Sequence, residues 1–353
     1  MGDRPTGFRA SKLLLQQIVV TILKRAPKGR TGRLFRALAA SAAALVIVAS
    51  ACSTGRSDGM KDPHALTVEV GSYDIAVGAV PRFTAGVFTA DHRFVGYGTV
   101  QMRFRFVSAG SQHVASSRWG PRREGTFLAV PGVSVAKVPK APTVVSAQNG
   151  RGVYATQGTF DRAGFWEVEV AAAVDGGEVR RARAAFQVLD RHKVPAPGDL
   201  APASDNPTLA SGDVPPAAID SRATEGSIPD PELHQVSIAN ALAARRPVVI
   251  VFSTPEFCTS RMCGPVTDMV QQLADQFADR ATFVHVEIWR DFDSQQVNPV
   301  ATEWLARDGG DLREPWIFLV GADGRVAARW DNVTTRGEIE PLLRQLPVSG
   351  PET

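Results

Sequence analysis

The 353-residue sequence predicts a multi-domain chain, with an antiparallel β-sandwich over residues 65–190 followed by an α/β domain over residues 232–347. Three features carry that expectation. TVQMRFRFV (residues 99–107) alternates apolar and polar positions, the period of a strand with one buried face. PVVIVF (residues 247–252) is a continuous β-branched run, the pattern of a strand buried on both faces, and helical spacing follows it. Between the two, Pro195, Pro197, Pro202, Pro207, Pro215, Pro216, Pro229 and Pro231 sit among Ala, Ser, Asp and Gly, the composition of an extended linker over residues 191–231.

The first 51 residues read as a targeting segment with an N-terminal extension. They hold nine Lys/Arg and one acid, Asp3, out of 39 basic and 36 acidic residues in the chain. The remainder has 30 basic and 35 acidic residues, a net of −5, so no basic surface is left for a nucleic-acid partner. ALAASAAALVIVASAC, Ala37 to Cys52, is shorter than the ~20 apolar residues of a spanning helix and suits a signal peptide. Ala49, Ser50 and Ala51 before Cys52 resemble the lipobox of bacterial lipoproteins, with Ala49 where Leu is usual. The resemblance implies lipid on Cys52, a polar tether over residues 52–64 and a place on the extracytoplasmic face of the membrane. An uncleaved anchor with Cys52 incidental gives the same compartment. The other two cysteines, Cys258 and Cys263, then form an even pair in oxidising surroundings.

In the β-domain, Val100, Met102, Phe104 and Phe106 share one face of their strand. FWEVEVAAAVDGGEVRRARAAFQVL is a hairpin, with Trp166, Val168 and Val170 on one side and Asp175-Gly176-Gly177 as its turn. AVGAVPRFTAGVFT and GTFDRAGFWEVEV are similar to the small immunoglobulin-like domains called YtkA-like. That likeness implies no chemistry, and the domain's expected partner is an unidentified protein. His92, His113 and Met102 are scattered single residues and are not read as metal ligands.

In the α/β domain, Val266, Met269, Val270, Leu273 and Phe277 predict a helix opening after Pro265. ATFVHVEIW is a second strand. Asn298-Pro299 opens a helix with Val300, Ala301, Trp304 and Leu305 on one face. PWIFLVGADGRVAARW is a hairpin around residues 321–324, and Thr335 with Glu338 forms a capping box for a last helix. Cys258 and Cys263 stand where the first strand ends. This order, with Cys263-Gly264-Pro265 and with Glu314-Pro315-Trp316 opening the hairpin, resembles the thioredoxin fold. The resemblance covers about a third of the chain. It implies a cis Glu314–Pro315 bond, a peptide groove shaped by Pro315, Trp316, Gly264 and Pro265, and catalysis by the two thiols without a cofactor or metal.

Two departures qualify the likeness. Four residues, not two, separate the cysteines, and Val251 stands where thioredoxins carry a buried acid; Glu256 is the substitute expected. Five steps of ideal helix separate Cα atoms by about 8 Å, whereas a disulfide needs about 4.4–6.8 Å, so residues 258–262 must fold back as a loop. Cys263 lies at a helix N-terminus and Arg261 is a nearby cation, both of which favour a thiolate. Met262 and Phe257 offer apolar flanks for a substrate. Matching Cys-Gly-Pro points to Cys263 as the attacker, and distance from Phe252 points to Cys258, which is preferred here.

The expected activity is thiol–disulfide exchange on the thiols or disulfides of exported proteins. Two alternatives stay open. One is a non-catalytic scaffold with a structural disulfide, although so short a loop stabilises by only ~2 kcal/mol. The other is copper handling like that of Sco-type proteins, using Cys258, Met262 and Cys263. Against copper, His285 lies mid-strand, where an exposed, uninvolved histidine is expected.

Overall fold

The computed structural model describes residues 65–110, 118–224 and 226–349. The segment read as a signal peptide, Cys52 with its expected lipid, the expected tether and His113 lie outside them. No helix among the described residues is long and apolar enough to cross a membrane. Lys61–Thr353 is one compact unit.

Nine antiparallel strands form the N-terminal sheet: β1 (Leu66–Val70), β2 (Gly78–Thr89), β3 (Phe94–Gly96), β4 (Thr99–Ser108), β5 (Arg123–Ala129), β6 (Thr143–Val145), β7 (Gly152–Phe160), β8 (Gly164–Ala173) and β9 (Val179–Val188). The order is β6-β3-β2-β7-β5-β4-β8-β9, with β1 paired to β2. This architecture is compatible with a β-sandwich. Alternation decides which side chains go inside: Val100, Met102 and Phe104 of β4 join Trp166, Val168 and Val170 of β8 in the core. Phe83, Phe104, Phe160 and Phe186 fill its centre, with Phe83 and Phe104 edge-to-face at 4.8 Å. Asp175 and Gly176 turn the β8–β9 hairpin with φ of 52° and 73°, conformations that suit Asp-Gly.

The C-terminal sheet has the order β11-β10-β14-β15: β10 (Val248–Ser253), β11 (Thr282–Glu287), β14 (Trp316–Val320) and β15 (Val326–Asp331). β10 runs parallel to β11 and antiparallel to β14. Every residue of β10 is buried because helices cover both faces of the sheet. Val249 and Val251 meet α2 (Cys263–Phe277) and α4 (Arg336–Gln345). Ile250 and Phe252 meet α1 (Ile238–Ala243) and α3 (Pro299–Leu305). This two-sided cover is why PVVIVF has no polar alternation. A small ribbon of β12 (Trp289–Asp291) and β13 (Gln296–Val297) leads into α3, whose N-cap Asn298 accepts from the Val300 N–H. Thr335 and Glu338 form the expected capping box of α4.

Residues 191–231 run over the C-terminal sheet and are tied to it by hydrogen bonds. The Gly198 N–H donates to the Val326 carbonyl, the Val326 N–H donates to the Asp199 carbonyl, Ala201 donates to Gly324, and Ser204 accepts from Ala239. Asn206 receives the Ile238 N–H, and Ser204 Oγ receives the Trp304 indole N–H at 3.0 Å. Proline and serine here supply a low-entropy strap with its own polar anchors, a function that composition does not distinguish from a linker.

The two sheets also touch directly. Arg82 of β2 reaches Asp331 at 2.9 Å and Glu338 at 2.7 Å, and its guanidinium also donates to the Val333 carbonyl. The Tyr73 N–H donates to Asp331 at 2.6 Å, and Arg329 binds Asp74 at 2.8 Å. Arg82 and Asp331 keep side-chain exposures of only 13% and 10%, so removing one strands the other in a poorly solvated place. Arg82→Ala is expected to lower the unfolding free energy by about 3 kcal/mol, read by urea denaturation; a loss below about 0.5 kcal/mol, the range of ordinary surface changes, contradicts this contact as a brace.

Candidate active site

The site is built where β10 ends. Ser253 and Thr254 are fully buried, the chain turns at Pro255, and residues 255–261 pass through irregular turns before α2 begins at Cys263. The fold-back required by the cysteine spacing is present. Arg261 adopts φ of 58°, a left-handed conformation uncommon outside glycine, and its N–H closes on the Cys258 carbonyl at 3.1 Å. Helix α2 starts at Cys263 itself, three residues before Val266, where it is expected to open.

Both cysteines are free thiols. The helix field meets Cys258, not Cys263: the Cys263 backbone N–H points at the Cys258 sulfur at 3.4 Å, and Ser260 Oγ lies 3.2 Å from the same sulfur. The hydrogen bond from the Cys263 thiol is the largest influence. With Ser260 and the N–H groups of Cys263 and Met262, it overcomes burial and brings Cys258 down to about 5. Burial, and then the Cys258 sulfur itself, push Cys263 far above the ordinary thiol range. The two sulfurs therefore divide the roles of thiolate and neutral donor. Cys258 is 7% exposed and Cys263 0%, so both sulfurs are buried, and Cys258 is not the exposed thiol expected of an attacker.

The carboxylate here is Glu314, which sequence reasoning used only to mark the proline. Its oxygen and the two sulfurs all lie within 4.8 Å of one another. Burial, then the charges of Cys258 and Glu287, raise Glu314 to about 7. Glu256, the expected substitute, is exposed, and its backbone N–H is engaged by Ser221. The Glu314–Pro315 bond is cis, as expected, and this proline position was the one signal that could have led to Glu314.

Other expectations need correcting. Met262, read as a landing surface, is buried with Val130, Val153 and Val333, so the β-domain covers it. Phe257 stacks on Phe292 with ring centroids 3.9 Å apart. Trp316, read as groove lining, is 3% exposed between Phe318, Tyr73 and Arg329. Arg261 is exposed, and its contribution is the turn; the leading causes of the Cys258 shift are the four neutral donors above. Gly264 and Pro265 are half-buried at the start of α2, with Gly264 leaving room for a Cβ. His285 is not an exposed strand residue. It is 1% exposed, packed against Asp220 and His234, and its Nε2 lies 2.9 Å from Ser253 Oγ. A metal at this end of the sheet would find two sulfurs and one carboxylate, without Met262 or His285.

The β-domain also contributes Tyr73, for which the sequence carried no signal. Its hydroxyl donates to the Glu314 carbonyl at 3.1 Å and its ring meets Trp316 edge-on. Burial, reinforced by the charge of Asp331, keeps this phenol neutral at any ordinary pH.

Thiolate absorbance in the ultraviolet tests the division of roles. One group is expected to titrate near pH 5 in the reduced protein, to vanish in Cys258→Ala, and to move upward in Cys263→Ala, which removes the largest stabilising donor. A midpoint unmoved in Cys263→Ala contradicts the assignment.

No protein-family model matches the chain, and no curated protein matches it.

Proposed function

We propose that residues 232–347 are a thioredoxin-like domain. We further propose that the protein is an extracytoplasmic, membrane-anchored thiol–disulfide oxidoreductase acting on exported proteins through Cys258 and Cys263. The observation that supports this most is the pairing of unlike sulfurs: a stabilised thiolate at Cys258 beside a neutral thiol at Cys263, with a carboxylate poised near neutrality in reach of both. The element order and the cis Glu314–Pro315 bond add to it. A purely structural cysteine pair has no need of this arrangement.

The chemistry follows from the geometry. The Cys258 thiolate attacks one sulfur of a substrate disulfide; a Cys258–substrate bond forms, the substrate S–S bond breaks, and one substrate thiolate leaves. Glu314 accepts the Cys263 proton, and the Cys263 sulfur attacks Cys258 Sγ. The mixed disulfide breaks, the second substrate thiolate leaves, and a Cys258–Cys263 disulfide remains. Two electrons have passed from protein to substrate, and the reverse sequence oxidises a dithiol. Access is from the Cys258 side, since the β-domain occupies Met262 and Trp316.

A turbidity assay of insulin reduction tests the reading. Cys258→Ser is expected to abolish activity, while Cys263→Ser accumulates the mixed disulfide. Activity unchanged in the double variant ends the enzyme reading and leaves a scaffold. Glu314 also gives a pH signature. In the reduced protein its carboxyl is basic only above about 7, whereas Cys258 is already ionised there. In the mixed disulfide the Cys258 charge is gone, so Glu314 is held up by burial and Glu287 and loses its proton below about 7; resolution should accelerate as pH rises through that range. Glu314→Gln should flatten that rise and slow the step by roughly 100-fold, the low end of acid–base contributions; a profile that keeps its slope removes Glu314 from the mechanism.

A further inference from the structure

Beyond the cysteine turn, three side chains from three separate stretches converge in the interior. Asp220 follows the short turn Pro216–Ala218, His234 follows the turn Pro231–Leu233, and His285 lies on β11. Asp220 and His234 are 0% exposed and His285 is 1% exposed. We propose that Asp220, His234 and His285 bind one divalent first-row transition cation, zinc first among them, which fastens residues 191–231 to the C-terminal sheet.

The distances favour a cation over hydrogen bonds. Asp220 Oδ2 lies 3.6 Å from His234 Nε2 and 3.5 Å from His285 Nδ1, too long for good N–H···O contacts. Neither ring nitrogen of His234, nor Nδ1 of His285, has a hydrogen-bond partner, although all three atoms are buried. Unsatisfied buried nitrogens are rare because each forfeits its hydration. A tetrahedral centre with bonds of about 2.1 Å holds its ligand atoms about 3.4 Å apart, close to the spacing observed.

The surroundings fit as well. His285 Nε2 lies 3.1 Å from the Ser253 carbonyl oxygen, which can only accept. That fixes the proton on Nε2 and turns the Nδ1 lone pair toward Asp220, as outer partners of metal-bound histidines do. Arg222 grips Asp220 at 2.7 Å but does not replace the cation, for it is shared with Asp230 at 2.6 Å and Asp268 at 3.0 Å. Three carboxylates around one guanidinium leave two negative charges for a divalent ion to balance. Glu287, the next acid along β11, is engaged by the Ser221 N–H at 2.9 Å.

Two imidazoles and a carboxylate suit zinc rather than the soft Cu(I). With no side chain of the group open to solvent, the role is structural. It also reaches the cysteine turn. Ser253 Oγ lies 2.6 Å from Thr267 Oγ1, whose hydroxyl donates to the Cys263 carbonyl at 2.9 Å. The same hydrogen-bonded chain thus braces both His285 and the first turn of α2.

The test uses the full chain with Cys258→Ser and Cys263→Ser together, so that binding by the thiols and failure of the redox reading do not intrude. After chelator treatment it is titrated with Co(II), then Zn(II). One Co(II) per chain is expected, with visible ligand-field bands, no thiolate charge-transfer band, and displacement by zinc. Zinc at a hundredfold excess over Kd should raise Tm by about 5 °C. His234→Gln and His285→Gln should each weaken binding at least tenfold. Absence of stoichiometric binding in the parent overturns the proposal whether or not those variants fold. So does binding that both variants retain.

Discussion

One short turn carries the candidate site: the N–H of Cys263, first residue of α2, aimed at the sulfur of Cys258. A helix begins with N–H groups that have no partner inside it. Placing an anionic sulfur there satisfies one of them and meets the positive end of the helix dipole. Cys263 sits one step too far into the helix to profit from this. It is fully buried, and burial together with the Cys258 sulfur outweighs the Thr254 N–H that its own sulfur receives. Two residues of the same type thereby acquire opposite proton affinities, and the division arises from hydrogen bonds to Cys258, the Cys263 thiol first, then Ser260 and the backbone N–H groups, rather than from any nearby formal cation.

That turn is held in place from several sides. The left-handed Arg261 lets the chain double back, and Met262 is pressed into an apolar cluster with β-domain valines. Tyr73 hydrogen-bonds the carbonyl of Glu314. On the opposite flank, Asp220 and His234 lie against His285, which is buried behind Ser253. The β-domain is thus part of the frame around the sulfurs, and the cluster of Arg82, Asp331 and Glu338 locks that frame.

Local patterns in the sequence carried a good deal of this. The alternation of Val100, Met102 and Phe104, the unbroken run into Phe252, the Asn298 cap and the capping box at Thr335 are all decided within a few residues, and each appears as expected. The cis bond before Pro315 was legible because the proline itself announces it. What was not legible depends on contacts between distant segments. Glu314 becomes special only when burial and the Cys258 sulfur act on it. Asp220 reads as a linker acid until His234 and His285 close around it. Met262 and Trp316 look like surface because nothing in their own neighbourhood shows that the β-domain will cover them.

The most direct measurement is site-resolved alkylation of the reduced protein at about pH 6, with a small iodoacetamide reagent and peptide mapping of the two cysteines. Selective modification at Cys258, with Cys263 intact until the protein is unfolded, is the result this account requires. Equal modification of both, or modification at Cys263 first, would contradict it.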